Sequence, residues 1–301
     1  MNLSTEPVCF DRNPQKIALL TDSCADLSAE QRSGKPIFVV PLKILCGDGE
    51  FSDGVDIFAR DIYARQAAGE LPKTSLPDGG TVKDTLDHIA ALGYERVIAI
   101  HLSSGLSGTY NMVRIQAEEP EDLKVAAFDS LSGSLGIGIT LLQVWEDIQS
   151  GMSWEELVER RVPALVGDTY PYFSVDTLEY LQKGGRIGKV TALAGTMLNI
   201  KPLVGFAGDG QLASVAKVRG RKAVQGKFLE LLQARMAEHG AGRRYNLAVA
   251  NGGSPAEMAE LREKVAAAFP NYEHFWEGEM DATLSVYIGS GVLGACIQFL
   301  D

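Results

Sequence analysis

The stretch Val97-Ile98-Ala99-Ile100-His101-Leu102-Ser103-Ser104-Gly105-Leu106-Ser107-Gly108-Thr109-Tyr110-Asn111 reads as a short buried strand, a tight polar loop and the start of a helix. The same order of events recurs along the chain. Ile17–Leu20 runs into Thr21-Asp22-Ser23, Val125–Phe128 into Asp129-Ser130, and Leu247–Ala250 into Asn251-Gly252-Gly253-Ser254. Repetition of this unit predicts an α/β protein with mostly parallel sheets. Phe38–Leu45 is a further strand candidate. Helical patterns separate the strands at Val55–Ala68, Thr81–Leu92, Ser107–Glu118 and Leu135–Gln149, then at Trp154–Arg161, Arg221–His239 and Pro255–Phe269. The pattern breaks over Val162–Pro171, which holds two prolines and a Gly-Asp pair. A boundary there divides the chain into a flexible leader (1–15), an N-terminal α/β domain (16–165) and a C-terminal α/β domain (166–301).

A chain of 301 residues is long enough for one large or two medium cores. Its net charge of −11 argues against a general nucleic-acid binder and against a peripheral protein on an anionic membrane. The four cysteines, Cys9, Cys24, Cys46 and Cys296, have no regular spacing, which points to a reducing cytoplasm rather than a disulfide scaffold. The opening residues carry two acids and no apolar core of a signal peptide. Leu284–Leu300 lacks charge over 17 residues, short of the ~20 a membrane span needs, and its glycines favour a buried strand, a turn and a final buried segment. No integral membrane association is expected.

Charge is unevenly spread. Lys183–Lys227 holds nine cations, Arg186 and Arg219 among them, against one acid, Asp209. Such a run is usually a solvated face, but this asymmetry favours a site for an anionic ligand or an acidic partner. Gly289-Ser290-Gly291-Val292-Leu293-Gly294 fits GxGxxG and follows an expected strand, Thr283–Ile288. Only seven residues remain after it, so no dinucleotide-binding unit can follow, and close backbone packing is the better reading. The four histidines show no metal spacing, and His101 reads as a structural hydrogen-bonding residue. No catalytic residue, metal set or cofactor motif stands out. The Ser103–Asn111 loop is the strongest local signal. Its hydroxyls, small residues and free helix-start N–H groups suit a carboxylate or phosphate. Lys73-Thr74-Ser75-Leu76-Pro77 is a second polar turn before a helix.

These stretches together, in order and from about Lys16 to the C-terminus, resemble the DegV family of bacterial fatty-acid-binding proteins. The matching segments include Thr21-Asp22-Ser23, Phe51-Ser52-Asp53-Gly54, Lys73-Thr74-Ser75, Ser103–Asn111, Lys183-Gly184-Gly185-Arg186-Ile187 and Lys217-Val218-Arg219-Gly220. The resemblance implies two α/β domains with a long-chain fatty acid buried between them and no cofactor. It implies Thr74 and Ser104 as head-group ligands, with Ser75, Ser103 and Ser107 as second choices. It implies a non-catalytic carrier that presents its ligand to a separate fatty acid kinase, with Arg186 and Arg219 on the partner side. Where the family often has a histidine before Gly-Pro-Gly, this chain has Tyr287. Two other readings stay open: an enzyme acting on a small phosphorylated or carboxylated substrate, and an interaction module using the basic face.

Overall fold

The computed structural model describes residues 10–118, 122–193 and 199–301. In chain order the strands are β1 (Ile17–Asp22), β2 (Ile37–Val40), β3 (Lys43–Cys46), β4 (Gly49–Ser52), β5 (Lys73–Ser75), β6 (Arg96–His101) and β7 (Lys124–Asp129), followed by β8 (Thr169–Ser174), β9 (Ile200–Phe206), β10 (Leu212–Arg219), β11 (Tyr245–Gly252), β12 (Phe275–Glu279) and β13 (Val292–Phe299). They form a four-stranded sheet β2-β1-β6-β7, a six-stranded sheet β10-β9-β8-β13-β11-β12 and a small sheet β4-β3-β5.

The first sheet is parallel throughout. All six residues of β1 are buried, as a strand covered on both faces requires. The second sheet departs from the mostly parallel arrangement expected: only β11 and β12 run parallel there, and its other pairs are antiparallel. For one pair the connection dictates it. β9 turns into β10 through a tight loop closed by Ala207 N–H donating to the Gln211 carbonyl, and so short a link can only join antiparallel strands. The α/β class stands. The strand expected over Phe38–Leu45 is two strands in different sheets, parted at Pro41, which has no N–H for a ladder.

Between the two large sheets lies the helix Leu135–Gln149, with 13 of its 15 residues buried. It packs on β1 and β6 from one side and on β8, β11 and β12 from the other. A helix with two sheet faces to cover must be apolar nearly all round, which is how this sequence reads. The helical path after it is continuous from Trp154 to Gly167, with a wide π turn at Leu157–Arg161. Pro163, which has no N–H to donate, is the second residue after that π turn. Of the expected leader, residues 1–9 lie outside the described residues. Residues 10–15 are tied down: Phe10 packs edge-on against Tyr94, and the Asn13 side chain bonds both the N–H and the carbonyl of Ile17.

The largest local correction is at Thr283–Ile288, expected as a strand. Ala282–Ile288 is a helix. Its β-branched residues favour a strand, but the start of the helix is captured by acids. Asp281 accepts from Leu284 N–H at 2.6 Å, and Asp53 accepts from Ala282 and Thr283 N–H at 3.0 and 3.1 Å. Tertiary capping outweighs local propensity. Gly289 and Gly291, both with positive φ, turn the chain into the central strand β13. Among the described residues no helix is long and apolar enough to cross a membrane.

Candidate functional site

A cavity of about 310 Å³ opens between the two large sheets and the small one. Its floor is the inner face of the second sheet. Strand residues alternate faces, so Ala248 and Ala250 of β11 and Gly294 and Cys296 of β13 point the same way. The register sets Ala248 opposite Cys296 and Ala250 opposite Gly294. Small side chains at these positions leave space where larger ones would close the core. Phe173, Phe206, Leu212, Leu135 and Met280 complete an apolar interior. Ala248 and Ala250 are 1% and 4% exposed, so this end is shut off from solvent. The Cys296 thiol is pushed up in pKa by burial and stays protonated.

The opposite end is polar and open. Thr74, Ser75, Ser107, Arg186 and Tyr287 line it, with Ser75, Leu76 and Arg186 exposed. The Thr74 and Tyr287 hydroxyls are hydrogen-bonded at 2.5 Å. The Arg186 guanidinium stacks over the Tyr287 ring at 5.1 Å and donates to the carbonyls of Gly184 and Leu106. Gly184 is required here, because a Cβ would lie 2.4 Å from the Tyr287 ring. Four stretches far apart in sequence thus meet at one mouth. Four hydroxyls and a guanidinium at the entrance of an apolar cavity suit an amphiphile with an anionic head.

The expected site residues separate. Thr74, Ser75 and Ser107 come together at the mouth. Ser103 is fully buried outside the lining. Its hydroxyl donates to the Gly210 carbonyl at 2.8 Å and accepts from Gly105 N–H. Ser104 is exposed, also outside the lining, with its N–H donated to Asp129. The loop's glycine serves packing: a Cβ on Gly105 would sit 2.5 Å from the Gly210 backbone. His101, read as structural, bonds Asp22 at 3.1 Å with both side chains fully buried. Arg186, expected on a partner surface, belongs to the cavity mouth. Tyr287 was visible in the sequence only as a departure from a pattern. Ser134, a further cavity-lining hydroxyl, gave no signal beyond lying in a polar loop.

The basic segment also separates. Lys183, Lys189, Lys201, Arg221 and Lys227 pair with Glu179, Asp209, Asp176, Glu257 and Glu230. Arg186, Lys217, Arg219 and Lys222 are exposed and make no ion pair among the described residues.

The fold and site define a class: an α/β protein whose sheets enclose an apolar cavity with a polar, cationic mouth. A family model described as uncharacterised protein, DegV family, matches residues 16–300. A DegV domain-containing protein of Clostridium acetobutylicum is 35% identical over 283 residues, 94% of this chain and 99% of its own. A Thermus thermophilus DegV family structure, titled for its fatty acid binding, is 30% identical with a TM-score of 0.86, covering 94% of this chain and 99% of that one. Bacillus subtilis DegV, described as a fatty acid binding protein, is 29% identical with a TM-score of 0.83 and the same coverage. The chain belongs to the DegV family.

Proposed function

We propose that this protein is a non-catalytic carrier of a long-chain fatty acid. The observation that carries the reading is the cavity itself, shut and apolar at the β11–β13 floor and lined by hydroxyls and a guanidinium at its mouth. The fatty acid binding named for the Thermus and Bacillus relatives supports it. The acyl chain runs from the mouth toward Ala248 and Gly294. Burying about a dozen methylenes contributes on the order of 10 kcal/mol gross at ~0.8 kcal/mol each, before ordering costs. The carboxylate stays at the mouth, where the Thr74 and Tyr287 hydroxyls donate to it and Arg186 offsets its charge. In this reading the two α/β domains, 16–165 and 166–301, flank the ligand, and the protein works in the cytoplasm without a cofactor or nucleic-acid partner.

The polar end of the ligand faces outward, which suits presentation to a separate fatty acid kinase for acyl-phosphate formation. Lys217, Arg219 and Lys222, without an ion pair among the described residues, supply an exposed surface for an acidic partner. Native mass spectrometry, repeated after organic extraction, tests the carrier reading. One long-chain acid per chain is expected. An unshifted mass after incubation with C14 to C18 acids would sink it and favour a small-anion enzyme.

Arg186 and Arg219 separate the two roles. Arg186→Glu puts a like charge at the head group and is expected to weaken fatty-acid binding roughly tenfold, less at high salt because the mouth is open to solvent. Arg219→Glu is expected to leave that affinity unchanged and to slow acyl-phosphate formation with a kinase partner. Equal effects of both on lipid affinity would refute the division.

A further inference from the structure

Three carboxylates meet behind the cavity wall, at the N-terminus of the helix Ala282–Ile288. They come from separate stretches of the chain. Asp53 accepts the N–H groups of Ala282 and Thr283, Asp281 accepts that of Leu284, and Asp26 accepts that of Asp281 at 2.9 Å. A helix N-terminus stabilises one nearby negative charge, not three buried ones. The Asp281 Oδ2 atom is buried and meets no donor among the described residues. The Asp26 and Asp281 carboxyls are side-chain hydrogen-bond partners, so one proton shared between them satisfies both. Burial, then the charges of Asp53 and Asp26, raise Asp281 well above the carboxylate range. Burial raises Asp26 to about 7, against the pull of its hydrogen bonds from Asp281 and Ser134.

The surroundings supply no easy relief. Cys24, from the turn after β1, is a buried thiol raised by burial and by Asp281, Asp22, Asp53 and Asp26. Asp22 is engaged by His101. From the helix Ala59–Ala67, Tyr63 bonds Ser285 at 2.9 Å, and its phenol is raised by burial and by Glu279, Asp26 and Asp281.

Two links run from this cluster to the cavity. The helix it caps contributes Thr283, Leu284, Tyr287 and Ile288 to the lining. Ser134, also in the lining, has φ 56° and ψ −142°, a conformation costly for a residue with a Cβ. Its hydroxyl donates to Asp26 at 2.5 Å.

We propose that the Asp26–Asp281 pair is a proton-held latch: one shared proton beside Asp53 fixes Ser134 and the helix 282–288 against the cavity, and its loss loosens that wall. The link to ligand release rests on the carrier reading; the latch itself does not. The sign follows from linkage. Both groups hold protons more tightly folded than unfolded. Their contribution to stability therefore falls as pH rises from the ordinary carboxylate range, near ~4, through about 7 for Asp26 and further for Asp281.

Carboxyl ¹³C NMR of the full chain labelled at aspartate, with amide spectra on the same samples, tests this from pH 4 to 9. The expected result is a paired titration of Asp26 and Asp281 with a step at or above neutral pH, and amide shifts at Ser134, Thr283 and Tyr287 with the same midpoint. Asp281→Asn keeps a helix-capping side chain and a donor toward Asp26, and should abolish that step. The Tm advantage of the natural chain over this variant should shrink by at least about 2 °C between pH 5 and 8. Ordinary titration of both carboxyls near ~4, or cavity amides that stay still through the step, would overturn the latch. The natural chain alone decides this, so a variant that fails to fold does not protect the proposal. Stearate binding is measured on the same samples. Failure to bind at every pH counts against the carrier reading and leaves the titration result standing.

Discussion

Gly294→Leu is expected to weaken binding of a C18 fatty acid about two-hundredfold while leaving the fold intact or slightly more stable. Gly294 lies in the central strand β13, facing the cavity beside Ala250. A Cβ there meets only ordinary contacts: Tyr172 O at 3.4 Å, and the Ala250 Cβ and Met280 Cε each at 3.7 Å. The backbone therefore accepts the substitution. Glycine is also a poor strand residue, so its replacement favours folding. The four added carbons project into space that the acyl chain occupies in the carrier reading. Displacing about four methylenes at ~0.8 kcal/mol each removes about 3 kcal/mol, or two hundredfold. Acids shorter by four carbons should bind both forms alike, because they never reach the floor. Titration calorimetry over C10 to C18 acids, with a melting curve for each form, checks this. A variant that binds the C18 acid as tightly as the natural chain does would mean that the acyl chain does not run toward β13.

The contrast between floor and mouth also explains what the sequence disclosed. The strand–loop–helix units of the first half were legible because parallel strands are buried on both faces and read as short apolar runs, as at Ile17–Leu20 and Val97–Ile100. The antiparallel second sheet was not, because β8 and β9 alternate with aromatic and proline residues and their partners are set by turn lengths. The helix 282–288 was read as a strand because the acids that fix its first turn include Asp53, which is 229 residues away from Ala282. The mouth divides in the same way. Thr74 and Ser75 in β5 and Ser107 in its loop belong to stretches whose surplus of hydroxyls was visible locally. The placement of Arg186 against Tyr287 depends on Gly184 making room for a ring from the far end of the chain. Ser103 and Ser104 share the motif of Ser107 but not its position. The loop turns at Gly105 against Gly210, which spends the Ser103 hydroxyl on the backbone and leaves Ser104 in solvent.

That division leads to the second large effect, at the head group. Thr74→Val and Tyr287→Phe each remove one hydroxyl and almost no volume, so the cavity and the stack of Arg186 on the ring are kept. In the carrier reading both hydroxyls donate to the carboxylate, and a hydrogen bond to a charged group contributes about 1.5–3 kcal/mol. Each single change should therefore weaken a C18 acid by roughly tenfold to a hundredfold. The two hydroxyls also bond each other at 2.5 Å, so removing one strands its partner, and the pair should be non-additive in a double-mutant cycle. The double variant is expected to lose on the order of a thousandfold or less, short of the product of the single losses. Ser104→Ala, at an exposed serine outside the lining, should stay within about twofold of the natural chain, as surface changes remote from a ligand usually do. Fluorescence displacement by a C18 acid across the five proteins reads all of this at once. A double variant that binds as tightly as the natural chain would place the carboxylate elsewhere. A large loss at Ser104 alone would show that the loop Ser103–Asn111 moves onto the ligand when it binds.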